Sequence, residues 1–399
     1  MRIPETKENS VIHPMWGGLA ALLVLPSLAL AGARIEISDD AYITLGAGLR
    51  TSAAFTEAGL DGHSEDHKDF SLESLRIYSG GQIRPGLSVE LNTEFQSDGV
   101  GEEKIRVLAG VVKLEPSPLF RLWAGRFVPP SDRSNLSGPY YLGSFDFPFV
   151  HRYPATFAGH DNGIAYWGEL AEGALKWQGG AFEGGNAGSA EDGRGLLWTG
   201  RLTLNLWDPE SGYYNASTYY GDKDVLALGL VAMRQNDAVR AAQGADRVMS
   251  EGDFRAWSVD FLMEKKLVPG VLTLEGAYYD YDRDGLGSIH DEGAGWFALF
   301  GWLFPGEVGP RGWLKARAQA QVRYQRFSPD SGVSALNESS VQRVSAGRHE
   351  RWDMGVSFVF AEHNARVSLI YSRERLDDGG SSLSHRWRDR FKIGLQVQL

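Results

Sequence analysis

Strand-length segments in which apolar and polar residues alternate run through most of this chain, and they restrict its fold more than any other feature. Leu87-Ser-Val-Glu-Leu-Asn-Thr-Glu-Phe95 puts Leu87, Val89, Leu91 and Phe95 on one side and Ser88, Glu90, Asn92 and Glu94 on the other. From Leu314 to Phe327, Leu314, Ala316, Ala318, Ala320, Val322 and Tyr324 alternate with Lys315, Arg317, Gln319, Gln321, Arg323 and Gln325. The last segment sets Trp387, Phe391, Ile393, Leu395, Val397 and Leu399 against Arg388, Arg390, Lys392, Gln396 and Gln398. A helix would scatter each set around its axis, whereas a strand sorts them onto two faces. The expected class is all-β.

Alternation alone does not separate a soluble sandwich from a membrane barrel, since both have one apolar and one polar face. Three features favour the membrane. Many segments reach about ten residues, longer than the usual sandwich strand. The polar face carries charges and long amides in series, as a wet lumen would. The N-terminus reads as a secretory signal: Arg2 and Lys7 (offset by Glu5 and Glu8) precede an apolar run from Gly17 to Leu30 and an A-x-A site at Ala29-Leu30-Ala31. Cleavage is expected after Ala31, with Ala33 as second choice, leaving a single domain over residues 32–399. As a membrane anchor the run is short and broken by Pro26. No later segment is long and apolar enough for a spanning helix, and such a chain enters a membrane only as a closed barrel.

Connection lengths orient that barrel. Strand starts are expected near Tyr42, Leu72, Leu87, Ile105, Phe120, Gly163, Ala174, Leu197, Val225, Phe254, Val271, Trp296, Trp313, Arg351, Ala365 and Arg386. Every second connection is brief, as at Arg84-Pro-Gly86, Glu115-Pro-Ser-Pro118, Leu170-Ala-Glu-Gly173, Val268-Pro-Gly270 and Glu362-His-Asn364. Others are long and polar, such as Glu57 to Asp69, Glu183 to Gly195, Arg234 to Asp253 and Ser328 to Glu350. Bacterial outer-membrane barrels have short periplasmic turns and long external loops. The reading is an antiparallel up-and-down transmembrane barrel of about sixteen strands, fourteen or eighteen also being compatible, in the outer membrane. One connection breaks the rhythm: Asp208 to Asp224 falls in a short-turn position and is long.

Composition removes several function classes. The chain has no cysteine, which excludes a disulfide framework, a Cys-ligated metal or cluster and a C-x-x-C-H haem attachment. Net charge is −11, unsuited to non-specific nucleic-acid binding. The 49 glycines, 12 tryptophans and 15 tyrosines suit bends, strands and membrane interfaces. There is no G-x-S-x-G and no Ser/His pairing that suggests a catalytic group, so an enzyme is not expected, and neither is a cofactor.

A pore selects at its narrowest point. The best candidate is the long connection near 126–160, rich in Pro, Gly and aromatics, with Arg126, Asp132, Arg133, Asp146, His151 and Arg152, and Asp161 at its edge. So long a loop of that composition is expected to pack inside the lumen, the alternative being a lid or a contact between subunits. On the polar face, Lys315, Arg317, Arg323, Arg388, Arg390 and Lys392 form two basic stripes that would attract anions, while Glu90, Glu94, Asp260 and Glu264 share that face and would offset them. Asp280-x-Asp282-x-Asp284-Gly285-x5-Asp291 has the oxygen spacing of a calcium loop, but between strands, where an acidic hairpin tip is the commoner meaning. Asp61-Gly-His-Ser-Glu-Asp-His67 is a weaker metal candidate still.

Several stretches resemble known porins. Gly125-Arg-Phe-Val-Pro-Pro-Ser-Asp-Arg-Ser-Asn-Leu-Ser-Gly-Pro-Tyr-Tyr141 is similar to a strand end and loop of the phosphate-selective porin O/P superfamily. Asp208-Pro-Glu-Ser-Gly-Tyr-Tyr214, Ser217-Thr-Tyr-Tyr-Gly221, Val225-Leu-Ala-Leu-Gly229 and Leu274-Glu-Gly-Ala-Tyr-Tyr-Asp-Tyr281 resemble further parts of it. The resemblance implies a sixteen-stranded barrel in outer-membrane lipid, often a homotrimer, with an inward loop and a channel for small solutes, phosphate among them. It extends to haem-free porins that sheathe multihaem cytochromes, a branch the Pro129–Arg133 segment also resembles, so a cytochrome partner is the alternative. The chain departs from the outer-membrane pattern in ending on Leu399 where Phe or Trp is usual.

Overall fold

The computed structural model describes residues 32–57, 66–97, 103–152, 157–184, 195–243, 248–284, 292–310, 315–330, 332–337, 340–344, 348–376 and 387–399. The expected signal, residues 1–31, lies outside them. The first strands are β1 (Ala33–Ser38), β2 (Ala41–Thr56), β3 (His67–Arg84), β4 (Leu87–Ser97), β5 (Glu103–Ser117) and β6 (Phe120–Phe127). Helix α1 (Arg133–Ser137) precedes β7 (Asp161–Leu170), β8 (Leu175–Phe182), β9 (Leu197–Asn205), β10 (Val225–Gln243), β11 (Val248–Leu267) and β12 (Gly270–Asp282). The chain continues through β13 (Gly293–Leu303), β14 (Arg317–Pro329), β15 (Gly332–Asn337), β16 (Ser340–Val344), β17 (His349–Ala361), β18 (Ala365–Leu376) and β19 (Arg388–Gln398).

Each strand from β2 to β14 pairs antiparallel with the next, β14 passes to β17, and β19 closes on β2 through Arg390↔Thr56 to Gln398↔Gly48. With β1 set apart, the closed ring has 16 strands, the number favoured over fourteen or eighteen by the connection rhythm. Closure leaves no unpaired edge, the condition for a sheet in lipid. β15 and β16 form a separate hairpin within the β14–β17 connection. β1 folds back on the start of β2, beside the point where Leu399 exchanges backbone hydrogen bonds with Ala47.

The wall is inverted relative to a soluble sheet. Trp198, Leu202, Leu228, Leu230, Val259, Phe300, Val322, Ile393 and Leu395 are exposed on the outside. Arg50, Ser74, Arg201, Thr203, Asp260, Gln321, Arg323, Asp353, Ser368 and Gln396, at alternating positions, are buried inside. Apolar-out and polar-in is the arrangement of a membrane barrel.

The interior is not uniformly polar. Inward-facing Trp123, Phe127, Trp167, Phe182, Phe254, Tyr279, Phe297 and Phe327 gather into one apolar cluster with Val128, Leu136, Val150 and Tyr213 from two connections. The strands therefore supply an apolar inner face where those connections need one to pack against. A register shift in the β4–β5 pairing helps, turning both Leu108 and Ala109 inward.

Candidate functional site: two segments that meet in the lumen

The β6–β7 connection begins with Val128-Pro129-Pro130, where prolines remove backbone donors and stop the strand. Asp132 then caps α1 by accepting from Ser134 N at 3.0 Å. From there the segment bonds to inward-facing side chains around the ring. Thr199 of β9 donates to Pro130 O (2.5 Å), Tyr279 of β12 to Asp132 Oδ2 (2.9 Å), and Phe149 N to Gln325 of β14 (2.8 Å). Arg366 of β18 donates to Leu142 O (2.8 Å), Gln396 of β19 to Tyr140 O (2.8 Å), and Tyr140 Oη to Ser74 of β3 (3.1 Å). A segment bonded to six strands spaced around a ring lies within that ring.

Glycines let it approach. A Cβ on Gly48 would stand 2.7 Å from Tyr140, on Gly394 2.6 Å from Phe145, and on Gly295 3.1 Å from Val150. At each position the segment rests on bare strand backbone, a contact any larger residue would push away.

The irregular Asp208–Asp224 connection enters from the opposite end. Glu210, Tyr213, Asn215, Ser217, Thr218 and Tyr220 are buried. Glu264 of β11 accepts from Thr218 Oγ1 (2.7 Å), Tyr219 N (3.0 Å) and Gly221 N (2.9 Å), while Ser217 donates to Glu275 of β12 (2.7 Å). The two connections meet at Arg133, whose Nη1 and Nη2 donate to Glu210 Oε1 and Oε2 at 2.8 and 2.7 Å. Both side chains are 1% exposed. Tyr219 donates to the same carboxylate (2.5 Å), and Arg133 Nη1 also reaches Ala216 O (2.7 Å). Burial pushes the Glu210 carboxyl up, but the Arg133 charge and hydrogen bonds outweigh it and hold the pKa at about 2. Further links are Tyr213 Oη to Val128 O (2.9 Å) and Ser217 N to Tyr141 O (2.9 Å).

Charges on the lumen wall are extensively paired. Arg323 and Arg351 both bind Asp353, at 3.0 and 2.7 Å. Lys392 bridges Asp146 (3.0 Å) and Glu73 (3.1 Å). Arg201 holds Asp260 (2.5 Å), Arg76 holds Glu94, and Lys113 holds Glu90. Arg50 donates to Phe145 O and Arg317 to Tyr220 O (3.1 Å).

The structure places the sequence-predicted residues as follows. Asp132, Arg133, Asp146 and Arg152 lie in the inward segment; Arg152 N donates to Tyr281 Oη (2.9 Å), and His151 Nε2 lies 3.0 Å from Asp132. Arg126 does not join them. It sits on the outer face at the end of β6, donating to Asn162 (2.7 Å) and Val107 O (3.2 Å), because Trp123 and Phe127 take the inward parity. Lys315 also departs from expectation: β14 starts only at Arg317, and Lys315 lies before it, exposed, 3.3 Å from Glu307. Arg317, Arg323, Arg388, Arg390, Lys392, Glu90 and Glu94 are in or beside the lumen face. The calcium candidate falls partly outside the described residues, which end at Asp284 before resuming at Glu292. Asp280 and Asp282 belong to β12, Arg255 sits 3.7 Å from Asp282 and 3.9 Å from Asp284, and Asp291 lies outside the described residues. Among the described residues no group of three or more candidate ligands is poised for a metal. Sequence reasoning missed Glu210, Glu264 and Glu275 as anchors of the second segment; its anomalous length was the available signal.

Between the inward segments and the β2–β5 wall is a cavity of about 700 Å³. Its lining runs from Arg76, Glu90 and Lys113 to Glu362, His363 and Leu399 at the short-turn end.

No protein-family model and no curated protein sequence matches the chain. Solved structures do. OprB of Pseudomonas putida aligns with TM-score 0.58 and 11% identity over 90% of this chain and 94% of that one. The anion-selective porin of Comamonas acidovorans gives 0.56 and 12% over 90% and 100%, and the outer-membrane channel DcaP of Acinetobacter baumannii 0.55 and 11% over 93% and 100%. The fold is that of the porins. At such identities the likeness is one of architecture, and function has to come from the lumen.

Proposed function

We propose that the protein is an outer-membrane porin passing small hydrophilic solutes by diffusion through a lumen narrowed by its two inward segments. The observation that carries this reading is the inverted wall of a closed ring together with ionised groups held inside it, around a cavity. The wall fits a lipid bilayer, and the interior supplies the polar path that lipid denies. Residues 1–31 would serve as its export signal. Purified protein in a planar bilayer should give ohmic current.

A preference for anions is favoured by one part of the wall. Arg50, Arg323, Arg351, Arg366 and Lys392 face the 142–149 stretch, against Asp146, Asp353, Glu73 and Glu374. This excess of cations beside the inward segment would draw anions, phosphate included. A reversal potential in a salt gradient with the sign of anion selectivity supports it, and the opposite sign rejects it. A homotrimer is proposed by analogy with OmpT of Vibrio cholerae, solved in a trimer form at TM-score 0.52 and 13% identity. The cytochrome-sheath alternative needs a lumen free for a partner, and here the chain's own segments occupy it.

A further inference from the structure

We propose that the cavity between the inward segments and the β2–β5 wall is a binding site for neutral polyhydroxylated solutes of the sugar type. The role given to it, selecting what the pore passes, rests on the porin reading. Its volume of about 700 Å³ is in the range of small-molecule sites.

Asn215 lines this cavity, is 8% exposed, and has no hydrogen-bond partner at either its amide nitrogen or its amide oxygen. A buried amide with donor and acceptor both unused is costly unless a guest completes it. A hydroxyl group, which donates and accepts, is complementary to both atoms.

The charged side chains of the lining do not invite an ion. Glu90 is taken by Lys113, Arg76 by Glu94, and Glu210 by Arg133. At the short-turn mouth stand Asp222 and Glu362, without ion-pair partners among the described residues. Burial raises the Glu362 pKa, the nearby Asp222 charge raises it further, and the Arg317 charge lowers it. With Lys223 beside these two carboxylates and the other named lining charges paired, the cavity shows no excess of one sign that would favour an ion. A neutral guest needs no such excess. Tyr141, half-exposed on the lining with its ring 4.8 Å from that of His363, offers an apolar face of the kind the C–H face of a sugar ring covers.

The test uses the purified full-length barrel in detergent. Calorimetric titrations with glucose, maltose, inorganic phosphate and choline would be compared between the natural protein, Asn215→Ala and Tyr141→Ala. Heat-modifiable migration on gels confirms that each variant is folded. The expected result is binding of glucose or maltose, no binding of phosphate or choline at this site, and affinity for sugar reduced about tenfold in either variant. Binding of phosphate or choline that is lost in the variants, absence of sugar binding, or sugar affinity unchanged in both folded variants would overturn the proposal. Calorimetry needs no conduction. Currents without sugar binding would therefore reject this site and leave the pore, and sugar binding without currents would do the reverse.

Discussion

Arg133 and Glu210 join two segments that enter the barrel from opposite ends, and each is almost fully buried. Replacing one of a buried pair strands the other charge, a loss of roughly 3–5 kcal/mol. Asp260, 3.9 Å from Arg133, is already bound by Arg201 and replaces Glu210 only in part. Glu210→Gln is therefore expected to loosen the inward segments while the hydrogen-bonded ring persists, seen as faster proteolysis within 128–152 or 208–224 at unchanged heat-modifiability. Equal protease resistance would remove the clamp from the account. Acid should act similarly. The Glu210 pKa of about 2 in the folded protein lies below its ordinary 4.5. The stabilisation is then complete above about 4.5 and is lost as pH falls toward 2. Protease sensitivity in the same segments should rise over that window and stay flat between pH 6 and 8.

Single strands carry two tests at once, because their faces have different partners. On β19, Ile393 faces out and Gly394 faces Phe145. Ile393→Arg places a charge near the middle of the lipid-facing wall, and folding into phospholipid vesicles should weaken by about 2–4 kcal/mol in urea titrations. A change near zero would mean this face does not meet lipid. Gly394→Val should instead leave folding largely intact and displace Phe145, altering conductance. At this scale the sequence was most informative. The sixteen strand positions followed from period two and from turn residues, which are local properties, and expected starts at Leu87, Phe120, Leu197, Val225 and Ala365 coincide with observed ones. Errors came where local pattern meets a strand end. The parity of β6 turns on Trp123 and Phe127, whose inward burial depends on Tyr213 from a distant connection, and this sends Arg126 outside. Lys315 alternates in register with Arg317, but pairing begins only at Arg317. The Arg133–Glu210 contact was beyond reach for the same reason, since nothing local links residues 77 positions apart.

For the whole molecule, closure of the ring and filling of its interior are separable. The ring is held by backbone pairing from β2 round to β19. The interior is held by side chains of Asp132, Arg133, Glu210, Glu264 and Glu275. A barrel built this way can keep its fold while its lumen changes calibre. The central claim is that the chain forms a pore whose width the two clamped segments set. Single-channel conductance in a planar bilayer, for the natural protein beside Glu210→Gln, tests it most directly. Small, steady, ohmic steps are expected for the natural protein and larger or noisier steps for the variant. No conductance from folded protein, or identical conductance in the two, would contradict it.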